Sequence, residues 1–312
     1  MEHKFLSILR CPDCQLPLAS DEKSLTYSAC NRELPIVNGI VVFLSLEQLA
    51  DFFKREKTGE NLASFSALKE IIESNKKEVM ESNNFIDRLK EIVEHVSSAE
   101  FQKKYEAENC QWKGDLYNEE AEKVHIKNAG TILDWPTGKG CFLRSILDKV
   151  NSNTQIICRD IDFVELASLK VFLEGKGRAE NVLFVNADAI HMPFNNDSFD
   201  AVTASGGFIE VPDSPQAVKE SWRVLRPNGW FAGDADIYKQ NSRSMKIADK
   251  MGIGSLVTKE RIKKCLSDNE FKNIFVKTLY KDYDRDELPD EERAPLPARG
   301  DWFGLIVAGG QK

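Results

Sequence analysis

The chain has 312 residues, enough for a sizeable core and for two or three domains. Its formal net charge of -8 argues against a globally basic nucleic-acid binder. Its longest apolar run, residues 39–44, is far too short to span a bilayer. The seven cysteines are odd in number and scattered; Cys141, Cys158 and Cys265 sit inside apolar patterns and read as buried thiols of a reducing compartment. No charged-then-apolar leader precedes Cys11, so the expected location is cytoplasmic, with no membrane partner.

The first segment carries a C-x-x-C knuckle at Cys11 and Cys14, then Tyr27 and Cys30 at the spacing of a second knuckle. Four thiolates at that spacing complete a zinc tetrahedron; here one ligand position is a tyrosine, and His3 is the nearby imidazole. The knuckle, the spacing and the tail Leu34-Pro35-Ile36-Val37-Asn38-Gly39-Ile40-Val41 resemble the small Trm112-like zinc-ribbon domain. The resemblance covers about the first 45 residues and implies a small β domain, 1–45, with zinc on Cys11, Cys14 and Cys30. The other reading is a ribbon that has lost its metal and is held by its apolar residues.

From residue 46 to about 128 charges dominate and glycine is nearly absent. Leu46, Leu49, Ala50 and Phe53 have helical spacing, as do Leu68, Ile71 and Ile72, and Phe85, Leu89, Ile92, Val93 and Val96. Asn84 is a candidate N-cap. The segment reads as a helical bridge or cap, its mixed Lys and Glu faces serving solvation. Tyr105, Trp112 and Tyr117 are either core anchors or the lining of a pocket.

After residue 129 apolar runs alternate with helical patterns, which predicts a parallel sheet with crossover helices, an α/β domain over 129–312. The runs are 131–133, 155–158, 182–185, 201–204, 230–232, 274–278 and 302–307. The first ends in Asp134-Trp135-Pro136-Thr137-Gly138-Lys139-Gly140 and turns into an amphipathic helix. Glycine there allows close approach of a ligand, and the helix start offers free N–H groups. The second run ends at Asp160-Ile161-Asp162, where a carboxylate can take two ribose hydroxyls and Asp162 can cap the next helix. The third ends in Asp188-Ala189-Ile190-His191-Met192-Pro193-Phe194, with Phe199-Asp200 opening the fourth. The fourth leads to Ser205-Gly206-Gly207, and the turn Arg226-Pro227-Asn228-Gly229 leads into the fifth. Thr258 opens a capped helix.

Four of these segments, in order, resemble those of class I S-adenosylmethionine-dependent methyltransferases, the likeness running from residue 131 to 309; Pro136 stands where the first glycine usually sits. The resemblance implies a Rossmann-like seven-stranded sheet ending in an antiparallel hairpin. It implies S-adenosylmethionine as cofactor, with Asp134, Pro136, Thr137, Gly138, Gly140, Asp160, Ile161, Asp188, Ala189 and Ser205 around it. Asp188 would accept the adenine amine and the Ala189 N–H donate to a ring nitrogen.

Methyl transfer from a sulfonium needs proximity, orientation and a dry site; a general base is needed only where the acceptor loses a proton. Asp234 and Asp236, just past the fifth run, are candidates for a base or a substrate-cation site, and otherwise for turn caps. His125 and His191 read as surface or packing residues. Three readings follow: a methyltransferase with a small-molecule acceptor, an RNA methyltransferase whose ribbon grips substrate, and a non-catalytic scaffold binding a protein partner. The acidic balance and the helical cap favour the first. The acidic segment 282–299 reads as a long exposed loop that would close over the site or contact a second subunit, so a homo-oligomer stays open.

Overall fold

The computed structural model describes residues 5, 7–11, 16, 18–20, 25–27, 33–44, 82–107, 113–209, 211, 213–284 and 295–312. Three short strands, β1 (Leu18–Ser20), β2 (Leu25–Tyr27) and β3 (Glu33–Leu34), form a small antiparallel sheet. A hairpin follows, β4 (Ile36–Val37) and β5 (Ile40–Val42), whose two-residue turn places Asn38 and Gly39 at φ 48° and 73°. Two consecutive positive φ values suit an Asn-Gly pair and match the twist of the flanking strands.

Helices α1 (Ser82–Val96), α2 (Ala99–Ala107) and α3 (Gly114–Lys123) come next. Then β6 (Thr131–Asp134), α4 (Cys141–Ile146), β7 (Gln155–Asp160), α5 (Phe163–Gly175), β8 (Val182–Asn186) and β9 (Phe199–Ala204) alternate. The chain closes with α6 (Ser214–Val224), β10 (Leu225–Tyr238), α7 (Arg243–Lys250), α8 (Lys259–Asp268), β11 (Lys272–Tyr283) and β12 (Trp302–Gln311).

All seven expected apolar runs are strands of one sheet. Its order is β11-β12-β10-β9-β6-β7-β8-β5-β4, with β12 antiparallel to both its neighbours. The strands from β10 to β5 run parallel and are buried on both faces, which is why their sequences are near-continuous apolar runs. Two apolar layers cover them. Leu89, Tyr105, Leu116, Phe142 and Leu166, from α1 to α5, pack on one face. Val218, Met245 and Ile262, from α6 to α8, pack on the other with Phe5, Ile8, Leu9 and Cys11.

The sheet runs across the boundary placed near residue 45. The run at 39–44 became β5, which pairs in parallel with β8 outside the seven expected strands. The N-terminal stretch is also locked to the turn at Pro193 and Phe194: the Arg10 N–H donates to the Pro193 carbonyl (3.0 Å), the Asn195 N–H donates to the Ile8 carbonyl (2.8 Å), and Leu9 bridges Phe194. Among the described residues no group of three or more His, Cys, Asp or Glu is placed to hold a metal ion. Cys11 lies in the core; His3, Cys14, Cys30 and the Tyr27 side chain fall outside the described residues.

Other expectations are refined. The stripe at Leu89, Ile92 and Val96 is the buried face of α1, but that helix begins at Ser82, so Asn84 lies inside it. The stripes at 46–72 and Trp112 lie outside the described residues. Asp162 caps α5 and Thr258 caps α8 through their side-chain oxygens. Cys158 and Cys265 are buried free thiols, whereas Cys141, half-buried at the first position of α4, is disulfide-bonded. β11 extends to Tyr283, so Asp282 belongs to a strand rather than to the loop. No described helix is long and apolar enough to cross a membrane.

Leu9 has no exposed surface. Truncation to alanine should cost about 2–5 kcal/mol of global stability if this stretch is part of the main core. Urea unfolding of Leu9→Ala followed by tryptophan fluorescence measures it, and an unchanged midpoint would show that the stretch contributes nothing to the sheet.

Candidate active site

The carboxyl ends of β6 to β10 carry the chemistry. Trp135 leaves β6 through a cis peptide to Pro136. Its indole N–H donates to Ser221 Oγ (2.9 Å) and its backbone N–H to the Thr203 carbonyl (2.9 Å), so the turn is fixed to β9 and α6. Pro136 packs against the loop after β9: a Cβ on Gly207 would lie 2.8 Å from Pro136 Cγ, so only glycine allows the two loops to meet. Gly140, at φ 66°, faces Leu169 of α5, whose Cδ atoms would be 2.5 Å from an added Cβ. Over Gly138 nothing lies within 4 Å of such a Cβ, so the middle of the loop is open.

The Asp160 carboxylate holds this loop. It accepts from the Gly138 N–H (2.7 Å) with one oxygen and from the Asp162 N–H (2.9 Å) with the other. Burial raises its pKa, and the neighbouring Arg159 together with these N–H donors opposes the rise. Arg159, itself 2% exposed, donates to the Ala187 carbonyl beyond β8. Burial pulls its pKa down to about 10 against the attraction of Asp188 and Asp160. Asp188 accepts from the Ile190 N–H (3.1 Å) and starts a 3-10 turn at Ala189. Tyr105 is a core anchor whose hydroxyl reaches the Lys139 carbonyl (2.7 Å) and steadies the glycine loop from α2.

A second group of polar residues converges under α3. Asp134 accepts from Thr203 Oγ1 (2.9 Å), and Thr137 Oγ1 donates to the Asp134 carbonyl (2.8 Å); the other Asp134 carboxylate oxygen is buried without a hydrogen-bond partner. Burial raises the Asp134 pKa to about 7. Glu120 of α3 has no exposed surface; it accepts from the Ala204 N–H (3.2 Å) and from Ser205 Oγ. Burial, with Asp234 beside it, pushes its pKa well above the usual range. Lys113, at the cap of α3, pairs with Asp234 Oδ1 at 3.0 Å. Burial would lower the Lys113 pKa, but attraction to Asp234 and Asp236 prevails and raises it. Tyr117 lies beside them, its hydroxyl pushed up to about 12 by burial and the nearby carboxylates.

Asp234 and Asp236 were placed just past a strand, with turn caps as one reading. They instead lie within β10, which runs to Tyr238, and share the face opposed to Lys113. Glu120 and Lys113 were not singled out from sequence; both sit among many charged residues, and only the fold shows that they turn inward. Arg159 was legible in principle, as a lone cation inside an apolar strand run.

The fold is the Rossmann-like α/β fold of methyltransferase domains, with a mixed sheet. Residues 133–233, about a third of the chain, match the family described as "Methyltransferase domain". The demethylmenaquinone methyltransferase of Lactobacillus johnsonii is 31% identical over 110 residues, 35% of this chain and 44% of that protein. The ubiquinone/menaquinone biosynthesis C-methyltransferase UbiE of Bartonella henselae is 37% identical over 100 residues, 32% of this chain and 38% of that protein. The chain thus spans less than half the length of these relatives. In fold it is similar to phosphoethanolamine N-methyltransferase 2 of Haemonchus contortus in complex with S-adenosyl-L-methionine (TM-score 0.51, 15% identity, 71% of this chain and 60% of that one).

Asp134 and Asp162, the latter pushed up to about 8 by burial, keep protons when folded that they lose when unfolded near pH 4. The folded state therefore binds more protons between those values, and stability falls as pH rises through about 4 to 8. The melting temperature of the ligand-free protein should drop steadily from pH 5 to pH 8. Differential scanning calorimetry measures this, and a flat or rising profile would contradict the burial of these carboxylates.

Proposed function

We propose that this protein transfers the methyl group of S-adenosylmethionine to a small-molecule acceptor. The observation that carries the reading is the convergence of Asp134, the open glycine loop, Asp160, Asp188 and Ala189 at the carboxyl ends of three adjacent parallel strands. Ligands of open α/β sheets bind in that crevice.

The residues fit the cofactor. Each Asp160 oxygen already takes one backbone N–H and keeps a lone pair for a ribose hydroxyl. Asp188 is assigned to the adenine amine, with the Ala189 N–H beside it. The unpartnered Asp134 oxygen is a buried acceptor that a ligand donor would satisfy. Ser205, held by Glu120, and Ile161 complete the lining. When bound, the cofactor supplies an electrophilic methyl group on a sulfonium. The chain contributes orientation, a buried floor and exclusion of water by α3.

The two named sequence relatives are methyltransferases of demethylmenaquinone and of ubiquinone/menaquinone biosynthesis, but the family match ends at residue 233. Lys113, Tyr117, Glu120, Asp234 and Asp236 all lie outside it. The match therefore supports the cofactor half and leaves the acceptor to be argued from the acidic group under α3.

S-Adenosylhomocysteine is the direct probe. At a hundredfold over its Kd it should stabilise the protein by about 2.7 kcal/mol, several degrees in melting temperature. Asp160→Asn, which retains size but changes the acceptor set, should lose most of that shift. No shift in the folded wild-type protein at millimolar ligand would end the methyltransferase reading.

A further inference from the structure

Among the described residues, the space between α3 and β10 holds two carboxylates, Asp234 and Asp236, and one ammonium, Lys113. Glu120 on α3 is satisfied by the Ala204 N–H and the Ser205 hydroxyl and is pushed toward its neutral form by burial. Asp134 lies two strands away in the order β10-β9-β6, roughly 10 Å across the sheet, on the cofactor side. Burial raises the pKa of both aspartates and Lys113 opposes the rise; with both ionised, these described groups carry one net negative charge.

A second observation points to a missing partner. Lys113 engages Asp234 Oδ1 and the Gly206 N–H approaches the same carboxylate, while Asp234 Oδ2 is buried without a hydrogen bond of ordinary geometry. An unsatisfied buried carboxylate oxygen is costly, and such atoms mark places where a donor belongs. Asp236, two residues further along the same strand face, is half-buried and so stands toward the outside of Asp234. The Tyr117 hydroxyl lies within electrostatic reach of Asp234 and Lys113.

Resting on the methyltransferase reading above, we infer that the acceptor enters as a monocation, an amine whose ammonium group is held by Asp234 Oδ2 and Asp236 beneath α3. One ammonium neutralises the net charge of the group and provides the donor that Oδ2 lacks. An anionic acceptor would face two carboxylates in a buried site and is excluded. A neutral alcohol or quinol leaves the charge uncompensated. Before the amine can act as a nucleophile it must lose a proton: the N–H bond breaks, the nitrogen keeps the electron pair, and the proton passes to Asp234 Oδ2. Lys113 competes for the same carboxylates, so it tunes affinity for the cation in the opposite sense to Asp236.

The test is calorimetric titration of the S-adenosylhomocysteine-loaded protein with n-butylamine and benzylamine, and with 1-butanol and benzyl alcohol as neutral isosteres. At least one amine should bind ten times or more tighter than its alcohol. Asp236→Asn should weaken that amine at least tenfold, and Lys113→Met should strengthen it. A merely structural role for either residue would not move the two variants in opposite directions. Amines that bind no better than their alcohols, or two variants that weaken amine binding alike, would overturn the inference while leaving cofactor binding standing. Failure of wild-type protein to bind S-adenosylhomocysteine in the first titration would overturn it together with the reading beneath it.

Discussion

The site depends on one carboxylate. Asp160 stands at the end of β7 and reaches back to the Gly138 N–H with one oxygen and forward to the Asp162 N–H with the other. The first contact shapes the glycine loop after β6. The second sets the turn in which Asp162 becomes the cap of α5. α5 then presents Leu169 against Gly140, which fixes where α4 begins. A strand end, two loops and two helices therefore take their positions from a single side chain. Burial raises its pKa, and Arg159 on the adjoining residue together with the backbone donors to both oxygens opposes that rise.

The second organising feature is the trade between desolvation and charge under α3. Glu120, Asp134 and Asp234 are each at most 1% exposed. Isolated carboxylates do not persist in such places; they protonate or find partners. Burial pushes Glu120 and Asp134 toward the first course, and Asp234 takes the second through Lys113. The outcome is a floor whose charge state is set by burial and by the one ammonium beside it.

Much of this was legible in the sequence, because the parallel strands are buried on both faces and read as apolar runs with turn residues at their ends. The positions of Asp160, Asp162 and Asp188 at strand ends were legible for that reason: a carboxylate at a strand end is visible locally. Asp234 and Asp236 were seen but misplaced, since Gly233 and Asp234 resemble a turn, whereas pairing with β12 carries the strand on to Tyr238. Glu120 was hidden because nothing in a helix rich in glutamate distinguishes the one that faces inward. Tertiary packing decided it, through Ala204 and Ser205, more than eighty residues away. The strand β5 was missed for the converse reason: the ribbon-like spacing of the first cysteines drew its apolar run into a separate domain.

That strand has a consequence for how the protein avoids sticking to itself. In a seven-stranded sheet β8 would present a long apolar margin with unpaired backbone groups, a template for aggregation. Here β5 covers that margin, and the outermost position falls to β4, two residues long and preceded by Pro35. Short strands and proline are poor templates for further pairing. The N-terminal stretch therefore acts as a terminator of sheet growth, and a chain begun after residue 45 would carry the domain's chemistry together with an exposed adhesive margin.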